Sequence, residues 1–254
     1  MNVVLMTTYN GEKHIEVQIK SILSQLEPDD LLLISDDGST DKTVDIIKSF
    51  NLNCIKLFQR GKNRKIYKES YLYTTDNINY LLSICPYCDL IFLADQDDVW
   101  LQNKYELFVG AATDMTCILS DCSYVDENLN FLVDSKFESD GINSFGIFSS
   151  LIKTPFLGAC MAFDYRLLKY VYPIPHNVPH DMWIGFISQI YGRVQVLKES
   201  TLLYRRHCSS LTYSNVKYID GVNGKRRSLW RKLHSRIGFI YSFLVRLINI
   251  KILS

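Results

Sequence analysis

Four short apolar segments in the first half of the chain constrain its fold more than any other feature. The first two are each followed by apolar side chains at helical spacing, such as Ile15, Ile19 and Ile22 after the first segment. Strands that are apolar on both faces and alternate with amphipathic helices are typical of a parallel sheet covered by helices on both faces. The sequence therefore predicts an α/β fold with strands at residues 2–6, 31–35, 54–58 and 90–94.

Polar clusters follow three of these strands directly. They are Thr7-Thr8-Tyr9-Asn10, Asp36-Asp37 and Asp95-Gln96-Asp97-Asp98. Because ligands bind outside the carboxyl ends of parallel strands, we expect these clusters to line one crevice. Three carboxylates within four residues favour a hard divalent ion, Mg²⁺ or Mn²⁺, which proteins usually hold together with substrate phosphates. The alternative is a polar loop in which Asp98 or Asn103 caps the next helix.

The second half of the chain is less regular. We expect a strand at 117–120, a polar linker over 134–150, a tightly packed segment at 156–163, a helix from His180 through Ile190, and short strands at 194–197 and 201–204. A basic stretch, Arg60 to Lys68, is either a phosphate-contacting loop or a solvated surface loop, and the second is favoured.

Charge and cysteine usage narrow the class of protein. Eight of the 28 Lys and Arg residues lie after Asp220, where no Asp or Glu occurs, so the rest of the chain is acidic overall. An acidic body argues against nucleic-acid binding. The seven cysteines are odd in number and several lie in apolar segments, which predicts free thiols in the reducing cytosol. Cys85 and Cys88 have redox-like or zinc-like spacing but no second pair, so we expect them to be structural.

The ordered motifs Thr7-Thr8-Tyr9-Asn10-Gly11-Glu12, Asp36-Asp37-Gly38-Ser39-Thr40-Asp41 and Asp95-Gln96-Asp97-Asp98-Val99-Trp100 together resemble the family 2 glycosyltransferases of the GT-A fold. Phe156 to Cys160, His180 to Trp183 and Tyr204 to His207 resemble its bacterial rhamnosyltransferase-like branch. The resemblance implies a Rossmann-like, mostly parallel sheet with helices on both faces. It also implies a GT-A domain at 1–220, divided into a nucleotide-sugar-binding half (1–115) and an acceptor-binding half (116–220).

The activity implied by this resemblance is inverting, metal-dependent transfer of rhamnose or a hexose. The donor would be a dTDP- or UDP-sugar, and the acceptor a hydroxyl of a growing lipid-linked or cell-surface glycan. Two alternatives remain: a nucleotidyltransferase, and a non-catalytic nucleotide-sugar-binding assembly subunit. A nucleotidyltransferase is expected to carry a Gly-rich, basic loop after the first strand, whereas this loop contains only Gly11.

The resemblance also implies roles for residues of the nucleotide half. Thr7 and Tyr9 would contact the base and ribose, and Glu12 would support their turn. Asp37 would accept a hydrogen bond from the pyrimidine ring N–H, with Asp36 as the second choice. The alternative for both aspartates is a turn-forming or helix-capping carboxylate.

Asp95 and Asp97 match the family's Asp-x-Asp motif. Asp95 would face the ribose or sugar and approach the metal, and Asp97 would bind the Mn²⁺ or Mg²⁺ that bridges the phosphates. His207 could supply a third metal ligand or contact the diphosphate, and a structural histidine is the alternative. Relatives commonly carry Asn-x-Gly after the third strand, whereas this chain has Gln59 to Arg64, which leaves the identity of the donor open.

Asp181 is the predicted catalytic residue. Inversion at the anomeric carbon needs a carboxylate that takes the acceptor's proton on the face opposite the leaving group. Its position before an apolar helix also makes it a plausible N-cap, and the two roles are compatible. His180 and Trp183 would shape the acceptor pocket, although Trp183 could equally belong to the core.

The basic C-terminal tail, residues 221–254, contains Trp and aliphatic side chains among its cations. Its apolar part is too charged for a spanning helix. We expect a helix on the anionic inner face of the cell membrane, which would make the protein cytoplasmic and peripherally attached. The alternative is a helix that packs on the body or on a partner.

Overall fold

The described residues form one nine-stranded mixed sheet with helices packed against it. We use a computed structural model, which describes residues 1–60, 67, 71–206, 243 and 246. Its strands are β1 (Val3–Thr8), β2 (Leu31–Asp36), β3 (Ile55–Gln59), β4 (Leu90–Asp95), β5 (Val99–Trp100), β6 (Thr116–Val125), β7 (Phe131–Val133), β8 (Met161–Asp164) and β9 (Arg193–Arg205). Its α-helices are α1 (Ile15–Leu23), α2 (Thr43–Ser49), α3 (Tyr71–Ile84), α4 (Lys104–Ala111), α5 (Lys136–Ser139), α6 (Ile147–Ile152), α7 (Leu168–Val171) and α8 (His180–Tyr191).

The first half of the sheet has the order β3-β2-β1-β4 and is entirely parallel. Strands β1, β2 and β4 are buried along almost their whole length. This burial on both faces explains their nearly continuous apolar sequences. The four predicted strands and the α/β class are confirmed, and their carboxyl ends lie at one edge of the sheet.

The second half of the sheet mixes both directions. Strand β8 lies antiparallel between β4 and β6, β9 runs parallel to β6, and β5 joins β9 at the far edge. Three short strands, β5, β7 and β8, were not predicted. The two short strands expected after α8 are one long strand, β9, because its pairing with β6 continues through register shifts. The prediction of a linker over 134–150 is also wrong in part, since this stretch contains α5 and most of α6.

Helix α8 packs its apolar face into the core. Trp183 is completely buried and its indole N–H donates to the Val171 carbonyl at 2.9 Å. The expectation that Trp183 shapes the acceptor pocket is therefore wrong, and the core alternative is correct. A Cβ on Gly185 would collide with the ring of Phe156, so glycine is needed here for the close approach of that ring.

Two residues of the C-terminal tail are described, and both contact the second half of the body. Phe243 lies edge-on to Trp183 with ring centroids 6.3 Å apart. The Arg246 guanidinium donates to backbone carbonyls at the end of α7, including those of Tyr170 and Tyr172. These contacts favour the alternative in which the tail packs on the body. The other tail residues, on which the predicted membrane contact depends, lie outside the described residues. In the part of the chain that is described, no helix is both long and apolar enough to cross a bilayer.

The cysteines of the described residues are all free thiols, and most of them are buried. The pKa of Cys88 is raised by its hydrogen bond with Cys85 and by burial, so the Cys88 thiol is protonated and unreactive. The structural interpretation of the Cys85–Cys88 pair is supported by this environment. Cys208 lies outside the described residues.

Candidate active site

The crevice lies where β1, β2 and β4 end. In the sheet register Thr7 pairs with Asp95 across β1 and β4, and Thr8 pairs with Asp36 across β1 and β2. The backbone N–H of Asp37 donates to the Thr8 carbonyl at 2.9 Å and extends the second pairing. The first three polar clusters of the sequence are thus neighbours in space, as their position after parallel strands predicts.

Three predicted carboxylates converge at this edge. Burial, and then the negative charges of Asp97 and Asp181, together raise the pKa of Asp95 to about 7. Asp181 reaches the cluster from the first turn of α8, more than 80 residues along the chain. The structure therefore brings together the predicted Asp-x-Asp pair and the predicted base.

Asp181 is the second residue of α8 and not its N-cap, which is Pro179. Its Oδ1 atom accepts a hydrogen bond from the Met182 N–H at 2.7 Å, one of the N–H groups that a helix start leaves without a backbone partner. The positive end of the helix dipole also favours a carboxylate in this turn. The N-cap prediction for Asp181 is wrong by two positions, but the carboxylate still stabilises the helix start.

Asp98 does not cap the following helix. It is fully buried, and its Oδ1 atom accepts a hydrogen bond from the Arg205 N–H at 3.0 Å. Burial, then the charges of Asp97 and Asp95, raise its pKa well above the ordinary value. Helix α4 begins at Lys104 after Asn103, whose side chain makes no capping hydrogen bond. The capping alternative is therefore wrong for Asp98, which is tied to the end of β9, and right for Asn103 in position only, since Asn103 occupies the N-cap without a side-chain hydrogen bond.

The donor set at this edge suits a hard divalent cation. The Asp98 Oδ2 atom is buried without a hydrogen-bond partner, and the carboxylates of Asp95 and Asp97 repel each other. Within the described ranges, no group of three or more His, Cys, Asp or Glu side chains forms a ready metal cage. Proteins commonly hold Mg²⁺ with one or two carboxylates together with substrate phosphates, and Asp95 and Asp97 are two carboxylates of this kind. His207 lies outside the described residues.

The two predicted base-binding aspartates differ in their surroundings. Asp36 accepts hydrogen bonds from the Gly38 and Ser39 N–H groups and from the Ser39 hydroxyl, so both its oxygens hold the turn after β2. This is the turn-forming role that was the alternative for Asp36. Asp37 is buried beside it, and its charge raises the pKa of the Tyr67 hydroxyl.

The loop after β1 is held against the loop after β2 by side chains. The Glu12 N–H donates to Asp41, and the Lys42 N–H donates back to the Glu12 carboxylate, both at 3.0 Å. Asn10, at a φ of 48°, accepts from the Thr40 N–H at 2.8 Å. Within this rigid pair of loops, the Tyr9 residue keeps 44% of its surface exposed at the edge of the crevice.

Three residues of this region were missed or left without a role by sequence reasoning. Arg205 donates from Nε to the Asp97 carbonyl at 2.8 Å and from its guanidinium to the Glu127 carbonyl. Lys104 is fully buried and donates to the Ala159 carbonyl at 2.8 Å, which links α4 to the Gly-containing segment, residues 156–163. The third, Gln96, contacts the loop after β1. Nothing in the sequence predicts the burial of Lys104. Gln96 and Arg205 lie inside motifs that the sequence analysis identified, so their position in those motifs was the available signal.

His180 packs between Asp181 and the segment after α6. A Cβ on Gly158 would lie 2.6 Å from its Nε2 atom, so the absence of a side chain at Gly158 makes room for the imidazole. Burial lowers the pKa of His180 from its usual 6.5, and the charge of Asp181 opposes this shift. The histidine is therefore neutral beside the predicted base at neutral pH.

The lowered pKa of His180 predicts a stability loss in mild acid. Below pH 6.5 the unfolded chain binds a proton that the folded protein binds only at lower pH, so the free energy of unfolding falls as the pH drops through this window. His180→Gln removes this contribution. We expect the difference in unfolding free energy between wild type and H180Q to be constant above about pH 7.5. Below pH 6.5 we expect the wild-type protein to lose more stability than H180Q. Urea unfolding at a series of pH values measures it, with His176→Gln at an exposed position as the matched control. A pH-independent difference would contradict the prediction.

Comparison with known proteins decides the family. The chain matches the profile of glycosyl transferase family 2 over residues 3–169. The chain belongs to glycosyl transferase family 2. The matched region contains the crevice residues from Thr7 to Asp98, and the predicted family is confirmed.

Two curated relatives differ in how much of this family 2 protein they match and in their sequence identity to it. The dTDP-rhamnosyl transferase RfbG of Shigella flexneri is 36% identical over 107 residues, covering 39% of this chain and 34% of the relative. The O-antigen biosynthesis glycosyltransferase WbnJ of Escherichia coli is 25% identical over 255 residues, covering 97% of this chain and 96% of the relative.

The fold is shared with solved glycosyltransferases. S. aureus TarS 1-349 in complex with UDP-GlcNAc superposes with a TM-score of 0.63 at 18% sequence identity, covering 86% of this chain and 61% of that chain. The chain thus spans a third of the Shigella relative and about three fifths of TarS 1-349. The predicted GT-A fold, with its Rossmann-like sheet and flanking helices, is confirmed.

Proposed function

We propose that this family 2 protein is an inverting, metal-dependent glycosyltransferase that moves a sugar from a pyrimidine nucleoside diphosphate to a glycan hydroxyl. The observation that carries the proposal is the convergence of Asp95, Asp97 and Asp181 at the carboxyl edge of β1 and β4. Two carboxylates from one loop and a third from a distant helix are what donor binding and proton removal require.

Donor binding would use both loops at the crevice. The exposed Tyr9 ring and the Thr7 region would contact the base and ribose, and Asp37 would accept from the ring N–H. Glu12 would keep the loop after β1 in place through its hydrogen bond with Lys42. A Mn²⁺ or Mg²⁺ ion held by Asp97 and Asp95, with His207 as a possible further ligand, would supply positive charge to the departing diphosphate.

Transfer itself would depend on Asp181. Its carboxylate takes the proton of the acceptor hydroxyl while the acceptor oxygen bonds to the anomeric carbon. The bond from that carbon to the diphosphate oxygen breaks at the same time, and the nucleoside diphosphate leaves with the electron pair. Attack from the face opposite the leaving group inverts the anomeric centre.

The relatives support a choice of donor and acceptor. A dTDP-rhamnosyl transferase and an O-antigen glycosyltransferase among them favour a dTDP- or UDP-sugar donor and a lipid-linked or cell-surface glycan acceptor. Action at the cytoplasmic face of the membrane remains part of the proposal, with 1–220 as the catalytic domain and the tail 221–254, which contacts the body through Phe243 and Arg246, as a peripheral anchor. Family membership favours this reading over a nucleotidyltransferase.

A thermal-shift panel tests the proposal. We expect UDP or dTDP to raise the melting temperature only when Mn²⁺ is present, whereas GDP and CDP give smaller shifts, because a ligand that binds only the folded state stabilises it. The matched condition is Mn²⁺ alone, which corrects for metal binding without nucleotide. No shift with any nucleoside diphosphate would contradict the assigned donor site, and with it both the transferase and the nucleotide-sugar-binding assembly subunit.

A further inference from the structure

Gln96 lies between the two carboxylates of the Asp-x-Asp motif, yet its side chain points away from them to the loop after β1. Its Oε1 atom accepts from the Tyr9 N–H at 2.9 Å and from the Thr8 hydroxyl at 2.6 Å. Its Nε2 atom donates to the Tyr9 carbonyl at 3.0 Å. One side-chain amide therefore satisfies both backbone polar groups of a single residue.

These hydrogen bonds determine the orientation of the amide. The Tyr9 N–H can only donate and the Tyr9 carbonyl can only accept, so Oε1 must face the first and Nε2 the second. The pairing continues the ladder of β1 and β4, whose last backbone pair is Thr7 with Asp95. The Gln96 side chain thus extends the pairing of β1 with β4 by one residue, Tyr9. The Tyr9 side chain is exposed at the crevice.

Gly11 supplies an independent observation. A Cβ on Gly11 would lie 2.7 Å from the Gln96 Cδ atom and closer still to its Oε1. The φ angle of Gly11 is not in the left-handed region, so the backbone itself does not require glycine here. The carboxamide of Gln96 instead fills the space beside Gly11. Glycine at this position therefore leaves room for the Gln96 side chain.

We propose that Gln96 is a positioning residue that holds the Tyr9 peptide in register with Asp95 and Asp97, and so couples recognition of the donor nucleoside to the carboxylates at its diphosphate. This inference rests on the proposed function for the identity of the ligand. A neutral amide is suited to the task because a further carboxylate between Asp95 and Asp97 would add repulsion to an already crowded cluster.

Ligand binding by Gln96→Met tests the coupling, because methionine keeps the length of the side chain and removes its polar groups. With Mn²⁺ present, we expect the Kd for UDP or dTDP to rise about tenfold by calorimetry, while the Kd for inorganic pyrophosphate changes by less than about twofold. Gln189→Met is the matched control, since its amide donates to the Phe145 carbonyl and the Ser150 hydroxyl and to neither loop of the crevice. Equal losses for both ligands would overturn the proposal.

A double-mutant cycle tests the contact between Gln96 and Gly11. Gly11→Ala pushes the carboxamide aside, and Gln96→Ala removes it, so each single variant is expected to weaken nucleoside diphosphate binding about tenfold. The double variant is expected to lose less than about twentyfold, because the added methyl group then enters vacated space. Additive losses of about a hundredfold would overturn the proposed contact.

Hydrogen exchange of the ligand-free protein separates this inference from the proposed function. We expect the Tyr9 amide to be protected in wild type and in Gln189→Met, and to exchange at least about tenfold faster in Gln96→Met. Unchanged protection would overturn the positioning role whatever ligand the protein binds. Wild-type protein that binds no nucleoside diphosphate but loses Tyr9 protection in Gln96→Met would instead overturn only the proposed function.

Discussion

Replacement of Asp181 by Asn is expected to reduce sugar transfer by about 10²- to 10⁴-fold, the usual contribution of a general base. Asparagine keeps the shape of the side chain and can still accept the hydrogen bond from the Met182 N–H, so helix α8 should start as before. It cannot take the acceptor's proton. We therefore expect the nucleotide-induced thermal shift to survive while nucleoside diphosphate release in the presence of a glycan acceptor is lost.

The control for Asp181→Asn is Asp45→Asn. Asp45 also lies in the first turn of a helix, α2, but it is exposed and lies outside the crevice. The same chemical change there should leave transfer within about twofold of wild type, because exposed substitutions away from a site have small effects. Full activity in the Asp181→Asn variant would contradict the assigned base, and loss of donor binding together with activity would assign Asp181 to the donor site instead.

Asp97→Asn is expected to abolish the metal-dependent part of the nucleotide-induced thermal shift and to lower transfer by more than about 100-fold. Loss of a residue that only orients a metal ligand already costs about 10- to 100-fold in affinity or activity, so loss of a ligand should cost at least as much. Thermal shift with UDP or dTDP, with and without Mn²⁺, and the transfer assay measure the two effects. The exposed Asp29→Asn is the matched control.

The expected effect of Asp97→Asn on the stability of the ligand-free protein differs from its effect on activity. The charge of Asp97 raises the pKa of both Asp95 and Asp98, which means that the three carboxylates repel one another in the ligand-free protein. Asp97→Asn relieves this repulsion but also removes the charge that attracts the Arg205 guanidinium, so the melting temperature without ligand should change little. A marked fall would show that Asp97 serves the fold, and an intact Mn²⁺-dependent nucleotide shift would show that it does not bind the metal.

The outcomes for individual residues show how far local pattern extends. Strands β1, β2 and β4 were predicted because burial on both faces leaves an apolar run that is visible in the sequence. Strand β9 was predicted as two pieces because its exposed and buried residues alternate irregularly. Strands β5 and β7, at two and three residues, are too short to show any period.

The roles of individual side chains also depended on contacts that are not local in the sequence. Asp36 and Asp37 are adjacent and chemically identical, and only the turn after β2 shows that Asp36 is occupied by Gly38 and Ser39. Trp183 could have lined a pocket or the core until α8 was placed against α7. Asp98 looked like a helix cap because capping is a local arrangement, whereas its actual partner is the Arg205 N–H, more than 100 residues away.

The sequence by itself determined the class of fold, the family, and the edge of the sheet at which the polar clusters meet. These follow from periodicity and from the order of motifs, and both are local properties of the chain. Only the tertiary structure decided which carboxylates share a crevice, that Gln96 holds the Tyr9 peptide, and that Lys104 is buried beneath the Gly-containing segment. The reason is physical: desolvation, charge repulsion and hydrogen bonds between distant residues depend on distances that exist only after the sheet has formed.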